Sequence, residues 1–451
     1  MRFKFIFLAT DAFFMLMLIG LIIYIIFSLK NQMMRQSLNK LRSNKTAVLS
    51  FFILTIYFFI AMLDSIHFRP IEGKLKNGES SYGAITSVLD VMLKPMKNNR
   101  EKTYSSPFSL HSFSKENIEQ ANGTKIRDYP PLLHAGKHLR AVKNRNGDLS
   151  MRVLYSILIG FFLVYLGYFF YVFFRHHKVQ YNPPKEIRLY LSFFILIAIG
   201  LIFVLLTSSK YHIMGTEKTG KDVFYIVLKG ARTGILIGTL TTIIVTPIAI
   251  LFGVSAGYLG GWIDDTVQYI YTTLASIPSI LLIAAAMLLF QLGLTQEDSI
   301  ISADKRLLYL CLIMGISSWT GLCRLIRAET LKLKEIEYVQ AAHAFGLSNI
   351  RIMLKHIIPN LMHIVVITVI LRFSGLVLAE AVLAYVGIGV DPTMNSWGNM
   401  INQARLELSR DPIVWWNLTA AFVFMLGLVL PANLFGDAVR DALDPKLKRE
   451  K

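Results

Sequence analysis

The chain has 451 residues, of which 54% are hydrophobic and 17% charged, with a formal net charge of +18. Several runs exceed 18 apolar residues, which sets aside a soluble chain and predicts a polytopic helical membrane protein. The positive balance then reads as cytoplasmic loops rich in Lys and Arg rather than as a nucleic-acid surface. The two cysteines, Cys311 and Cys323, sit in one apolar span and read as buried free thiols rather than as a disulfide framework or metal site.

In chain order, the first predicted span covers roughly 5–29. Its start, MRFKF, resembles a signal peptide, but the apolar run is too long, contains Asp11 and lacks a small-residue cleavage site, so it reads as an uncleaved helix. Span two covers roughly 48–66. Residues 67–150 are polar, carry 14 Lys+Arg against 8 Asp+Glu, and read as an external insertion with one short helix within 81–96. An added span pair follows within 151–208, at roughly 151–174 and 190–208. Five more spans are predicted at roughly 231–256, 267–291, 307–327, 361–387 and 414–436, which makes nine. A glycine-rich turn, GYLGGWIDD, separates the fifth and sixth, and a charged tail closes the chain at 447–451.

Charge sets the orientation. Segments 30–47, 175–188, 324–360 and 437–451 carry 5, 4, 6 and 5 Lys+Arg, and alternation of nine spans puts all four on one side. That side is expected to be cytoplasmic, with the N-terminus and the 67–150 insertion outside and the C-terminus inside. The acidic pair Asp264 and Asp265 departs from this rule, and Arg2 and Lys4 would have to lie outside.

The stretch 332–360 is the longest basic interruption of the apolar half. Tyr338, Ala341, Ala342 and Phe345 recur at i, i+3, i+4 and i+7, one face of a helix. Gly346 can take φ > 0 and end it. Ser348 is placed to cap a second helix, with Ile350, Met353, Leu354 and Ile357 on one side, Arg351 and Lys355 on the other, and Pro359 predicted to break it. Two readings fit: a basic helix pair lying on the membrane without a partner, or a docking face. The small residues favour the second, because close approach of a partner requires them and lipid does not.

Four other features carry chemistry or its absence. GTEKTGKD (215–222) nearly matches the phosphate-binding pattern G-x-x-x-x-G-K-[ST], but Asp222 stands where a hydroxyl should reach Mg²⁺, and no strand precedes it. It reads as an external turn, and the chain is expected to bind no cofactor. Pro247, Pro278 and Pro431 fall inside spans and predict kinks, pathway-shaping or passive. Arg372 and Glu380 are intramembrane charges about 12 Å apart along one helix, too far to pair. Two roles stay open for them: pathway lining, or bonding to polar groups on another span. His176 and His177 are adjacent, a poor ligand geometry, and no catalytic or metal constellation is readable.

EYVQAAHAFGLSNIRIMLKHIIPN resembles the cytoplasmic signature loop of ABC-importer permeases of the dipeptide/oligopeptide (and nickel) family. The segments HIMGTEKTGKDVFYIVLKGARTGILIG, AGYLGGWIDD, WTGLCRLIRAETLKLKEIEYV, LAEAVLAYVGIGVDPTMNSWGNMI and GDAVRDALDP resemble further family blocks in order, over residues 211–446. QSLNKLRSNKTAVLSFFILTIYFFIAMLDS is similar to the family's N-terminal span. Two departures are Gln340, where the family commonly has Glu, and Ile358, where it has Leu.

The resemblance implies an all-α fold with a type I ABC-importer permease core at 209–446, carrying a coupling loop at 329–360. It implies partners: a second homologous permease, two cytoplasmic ATPase subunits that bind the ATP, and a periplasmic or lipid-anchored solute-binding protein, all at a bacterial inner membrane. Glu337, Tyr338, Gln340, Ala341, Ala342, Phe345, Gly346 and Leu347 carry over as the ATPase-coupling loop. Residues 211–230 and 387–412 carry over as external surface. Peptide import is the expected role; nickel or a peptide-like antibiotic as cargo, and a membrane scaffold or sensor, are the alternatives.

Overall fold

The computed structural model describes residues 3–28, 32–74, 80–119, 125–139, 144–176, 187–292 and 299–443. The tail 447–451 and most of the basic loop 175–188 lie outside the described residues. The elements run in the order β1 (Phe3–Ile6), α1 (Ala9–Ser28), α2 (Gln32–Ser43), α3 (Lys45–Ser65), β2 (His67–Lys74), β3 (Ser80–Tyr82), β4 (Thr86–Ser87), α4 (Val88–Met92), α5 (Lys94–Asn98), β5 (Glu116–Glu119), β6 (Lys125–Asp128), α6 (Arg145–His176) and α7 (Ile187–Thr207). They continue with α8 (Val223–Leu259), α9 (Gly261–Ser276), α10 (Ser279–Leu292), α11 (Ser299–Ser318), α12 (Thr320–Lys334), α13 (Glu337–Ala344), α14 (Asn349–Ile352), α15 (Ile358–Tyr385), α16 (Trp397–Glu407) and α17 (Trp416–Leu443).

Among the described residues, six helices are long and apolar enough to cross a membrane: α3, α6, α7, α8, the continuous helix 349–385, and α17. Two bent helix pairs, α9 with α10 at 86° and α11 with α12 at 41°, pass the same test only together, each as a broken span or a re-entrant loop, so the described residues hold six such helices, or up to eight. Pro278 lies in the first break, where a residue without an N–H cannot continue the ladder. Pro247 and Pro431 stay within their helices. The first expected span falls on α1, whose apolar part among the described residues, Ala9–Gly20, is shorter than those six helices, so the described residues do not reach the nine spans expected. The bundle is therefore mostly helical, as expected, but it is not wholly so. β1 pairs antiparallel with β2, which also takes β3 and β4, and β5 pairs with β6. No period in 67–150 announced these short strands, because their burial depends on partners rather than on alternation. The predicted short helix begins only at Val88, and strands occupy Ser80–Tyr82 and Thr86–Ser87.

The chain forms two compact units. The first comprises residues 1–88, 230–403 and 424–451, the second 89–229 and 404–423. Residues 67–88 thus group with the main bundle, apart from the rest of the insertion.

In the first unit, an ionic network that the sequence did not announce joins four helices and a strand. Arg232 on α8 donates to Asp11 on α1 at 2.6 Å and to Ser65 on α3 at 3.4 Å. Asp11 also meets His67 on β2 at 2.8 Å. Asp304 on α11 accepts from the Thr10 backbone at 3.2 Å and from its hydroxyl, and lies 3.8 Å from Arg232. All these side chains are buried. A charge at this depth persists only when paired and hydrogen-bonded, so the network fixes which face α1 turns to α8 and α11. We predict that Arg232→Ala, which leaves Asp11 without its cation, destabilises the bundle by about 3–5 kcal/mol. The loss reads out as a lower midpoint in thermal unfolding of the purified protein, and an unchanged midpoint would contradict the role given to the network.

Candidate functional site: the loop between α12 and α15

The loop is positioned by α12. Gly253 and Gly257 on α8 face it, and a Cβ at either would come within 2.9 Å of the Cys323 carbonyl or 2.8 Å of the Arg327 carbonyl. This G-x-x-x-G spacing lets the two backbones close on each other. Arg327 then grips Asp264 on α9 in a two-pronged ion pair, with Nη2 to Oδ2 at 2.6 Å. That pairing gives Asp264 a reason to stand in an otherwise basic loop. Arg324 adds a cation–π contact with Tyr271, 5.1 Å from the ring centroid. Cys323 is a buried free thiol, as is Cys311.

From α12 the chain turns into α13. Val339 and Ala342, three residues apart, are buried in a core with Tyr258, Tyr271, Ile326, Ile352 and Ile357. The opposite side of α13 presents Tyr338 and Ala341, and Phe345 follows at 87% exposure. The predicted face is thereby corrected at one position. Ala342 is 7% exposed and belongs to the anchor, because a helix this short has one apolar side and Val339 selects which one it is.

Gly346 ends α13 with φ +75°. The Leu347 amide donates to the Ala342 carbonyl at 3.2 Å and the Gly346 amide to the His343 carbonyl at 2.9 Å, the paired bonds of a Schellman termination. Leu347 packs against the same core as Ala342, which completes the motif's apolar contact. Nothing lies within 4 Å of a Cβ built at Gly346, so only backbone conformation demands glycine. Glu337 opens α13 and is exposed. Gln340 donates to the Glu335 carbonyl and carboxylate, each at 3.3 Å. A glutamate at 340 would have no such proton and would face a like charge, which rationalises the departure from the family pattern.

Ser348 has the extended backbone of an N-cap but makes no side-chain capping bond. Beyond it, Ile352 and Ile357 are buried while Ile350 and Leu354 are 66% and 62% exposed. The expected apolar face is split because the helix widens into a π-turn at Met353–Ile357, in which the Ile358 amide reaches back to the Met353 carbonyl. Pro359 follows at once. A proline lacks the N–H for the ladder and crowds the carbonyl four residues back, and the widened turn accommodates it. The helix is therefore continuous where the sequence predicted a break. Asn360 ties the two halves together, donating to the Tyr338 hydroxyl at 2.8 Å and the His356 carbonyl at 2.7 Å.

The two intramembrane charges occupy bonded positions elsewhere in the same unit. Arg372 donates to the Ser318 carbonyl at 2.8 Å, at the end of α11 where α12 bends away. Glu380, 2% exposed, accepts from the Ser396 hydroxyl and the Gly398 amide at the start of α16. Both thus bond to polar groups of other elements, and Glu380 is buried in the bundle.

Comparison with known proteins follows this geometry. A family model described as "Binding-protein-dependent transport system inner membrane component" matches residues 249–449. The oligopeptide transport system permease protein OppC of Bacillus subtilis is 32% identical over 241 residues, covering 53% of this chain and 74% of the relative. The chain belongs to the dipeptide/oligopeptide family of binding-protein-dependent ABC permeases. The dipeptide transport system permease protein DppC of Alkalihalophilus pseudofirmus is 33% identical over 270 residues, 56% of this chain and 83% of that one. Among solved structures, a chain described under inward-facing conformations of the MetNI methionine ABC transporter aligns over 49% of this chain and 98% of its own, with a TM-score of 0.39 and 17% identity. The relatives match a little over half of this permease.

Two substitutions separate the anchor from the exposed face. Gly346→Ala is expected to cost about 1–2 kcal/mol through the left-handed backbone alone. Ala342→Glu, which buries an unpaired charge, should cost more and reduce the amount of folded protein recovered. Thermal unfolding of both variants checks this; equal, negligible shifts would contradict the burial of Ala342.

Proposed function

We propose that this permease forms half of the translocation pathway of an ATP-driven importer for di- or oligopeptides, paired with a second homologous permease. One of two ATPase subunits seats on the loop at Glu337–Leu347, and a solute-binding protein delivers cargo from the other side of the membrane. The peptide cargo rests on the relatives, which are named as oligopeptide and dipeptide permease proteins. The docking role rests on one observation above the others. Tyr338, Ala341 and Phe345 stand exposed on a helix whose other side, Val339 and Ala342, is locked into the bundle. A push on such a face moves the core beneath it, and a rigid-body tilt of the spans is the expected response.

The energy comes from the partners in this reading. GTEKTGKD does not follow a strand, and its turn is closed by its own backbone, with Gly220 donating to Glu217 at 2.9 Å and Glu217 to Lys221 at 3.0 Å. Asp222 caps α8 by accepting from the Tyr225 amide at 3.2 Å. Those bonds support a structural turn over a nucleotide site.

Orientation gains support from the strands. β1 pairs with β2, which directly follows α3, in the register Phe3↔Pro70 to Ile6↔His67. The start of α1 and the end of α3 therefore share a side, the one assigned outside by the loop charges. Lys4 there lies 5.7 Å from the Tyr82 ring centroid, so the basic N-terminal residue that strained the charge rule has a local partner.

Phe345→Asp should leave folding and membrane insertion intact, because the side chain is exposed, and should abolish peptide uptake by the complex together with substrate-stimulated ATP hydrolysis. Normal uptake would sink the docking assignment. In intact cells, an impermeant thiol reagent should label Lys102→Cys and spare His343→Cys until lysis. The reverse pattern would overturn the orientation.

A further inference from the structure

The second unit contains a clamp built around one histidine. Nδ1 of His212 lies 2.7 Å from Asp222 Oδ2, and Nε2 lies 3.4 Å from Glu101 Oε1. All three side chains are buried. Neutral imidazole carries one N–H, and only the imidazolium can donate to two carboxylates at once, so the geometry selects the protonated ring. Glu101 is itself fixed, accepting from the backbone amides of Leu133 at 2.6 Å, His134 at 2.8 Å and Ala135 at 3.3 Å. The His134 ring stands 3.8 Å from the same carboxylate. Among the described residues, these three charged groups and His134 are the titratable groups in contact at the site.

What the cluster joins gives it consequence. The Glu101 amide donates to the Gly220 carbonyl at 2.9 Å, and a Cβ at Gly220, whose φ is +71°, would overlap the Glu101 carbonyl. Asp222 caps α8. One and two turns further, Tyr225 and Lys229 each donate to Asp90 at 2.7 Å. The insertion grips α17 as well. Trp416 donates to the Thr216 carbonyl at 3.0 Å and packs edge-on against Phe113, 4.8 Å between centroids. Asn417 donates to Glu407 at 2.6 Å, and Tyr104 donates to the same carboxylate at 3.0 Å.

We propose that residues 89–119 and 125–139 form a collar that fastens the starts of α8 and α17 to each other, pinned by protonated His212 between Glu101 and Asp222, and that the collar loosens when that proton is lost. The inference stands apart from the peptide cargo and from the ATPase docking face. Loss of the proton leaves Glu101 and Asp222 as two buried carboxylates without their shared cation, which repel and draw in water. Burial by itself would push the imidazole pKa down; the hydrogen bonds from Asp222 and Glu101 outweigh it and hold the value up at about 9, against an ordinary 6.5. The folded value is the higher one, so the clamp's contribution is complete below about pH 6.5 and is lost as pH rises through about 9. Burial would likewise push Glu101 up, but the bonds from His212 and the three amides bring it to about 2, so its share is lost only as pH falls through that value.

Hydrogen exchange on the full chain in its complex, in lipid nanodiscs, tests this without reference to transport. Exchange is followed in segments 101–105, 131–136, 212–225 and 414–419 from pH 7 to pH 10, corrected for the intrinsic rate. Protection in these segments should fall about tenfold or more as pH passes 9, with no step in α12. His212→Gln should be open already at pH 7 and show no step. Asp222→Asn, which leaves one carboxylate, should move the midpoint to lower pH. Flat wild-type protection across the range, or a step that survives in His212→Gln, would overturn the clamp. The wild-type titration decides the matter even if a variant fails to fold.

Discussion

Burial of four small or branched side chains under one polar loop is the contact on which the rest depends. Val339 and Ala342 from α13, with Ile352 and Ile357 from the helix after it, enter the core built by α8, α9 and α12. Without that anchor, α13 would be an eight-residue helix in water, too short to hold its own fold. With it, every other side chain of the loop has an assigned direction. Gly346 sets the angle between the halves, Asn360 ties them, and Tyr338 and Phe345 are left outward. An exposed aromatic on a rigid base is a costly surface for an isolated chain to keep, and a natural one for a partner to cover.

The same logic of enforced partners governs the charged groups. Arg232, Asp11 and Asp304 are each placed where an unpaired charge would be expensive, and each finds another within the first unit. Arg327 and Asp264 do so at the foot of α12. Arg372 and Glu380 use neutral partners instead, a carbonyl at the end of α11 and the hydroxyl and amide that open α16. These bonds link α12 to α9, and α15 both to the end of α11 and to the start of α16.

Much of this was legible in the residues. Long apolar runs located the long helices, because hydrophobic length is a local property, but each bent pair read as one span, and only the break at Pro278 had a local signal. The glycine elbow at 346 was readable since a left-handed turn restricts residue type. G-x-x-x-G at 253–257 was there to be read and passed unnoticed. The inward turn of Ala342 was not legible, because Tyr338, Ala341, Ala342 and Phe345 fit one stripe as well as Val339 and Ala342 fit the opposite one; only the tertiary core chooses between them. The ionic network escaped for a similar reason. Asp11, Arg232 and Asp304 lie far apart in the chain, and no local pattern connects them. The strands of 67–88 escaped because β2 pairs back to residues 3–6, and β3 and β4 are strands only through their pairing with β2. The π-turn replaced an expected break since proline limits one hydrogen bond and one steric contact, and a helix has more than one way to meet both.

Cross-linking from the loop in the assembled complex is the most direct test that this face receives the ATPase. A photoreactive amino acid is placed at position 345 in one variant and at position 342 in another, and irradiated in membranes that contain the whole importer. Position 345 should capture an ATPase subunit, and position 342 should not. Absence of any ATPase adduct at 345, or capture at 342 in its place, would contradict the assignment.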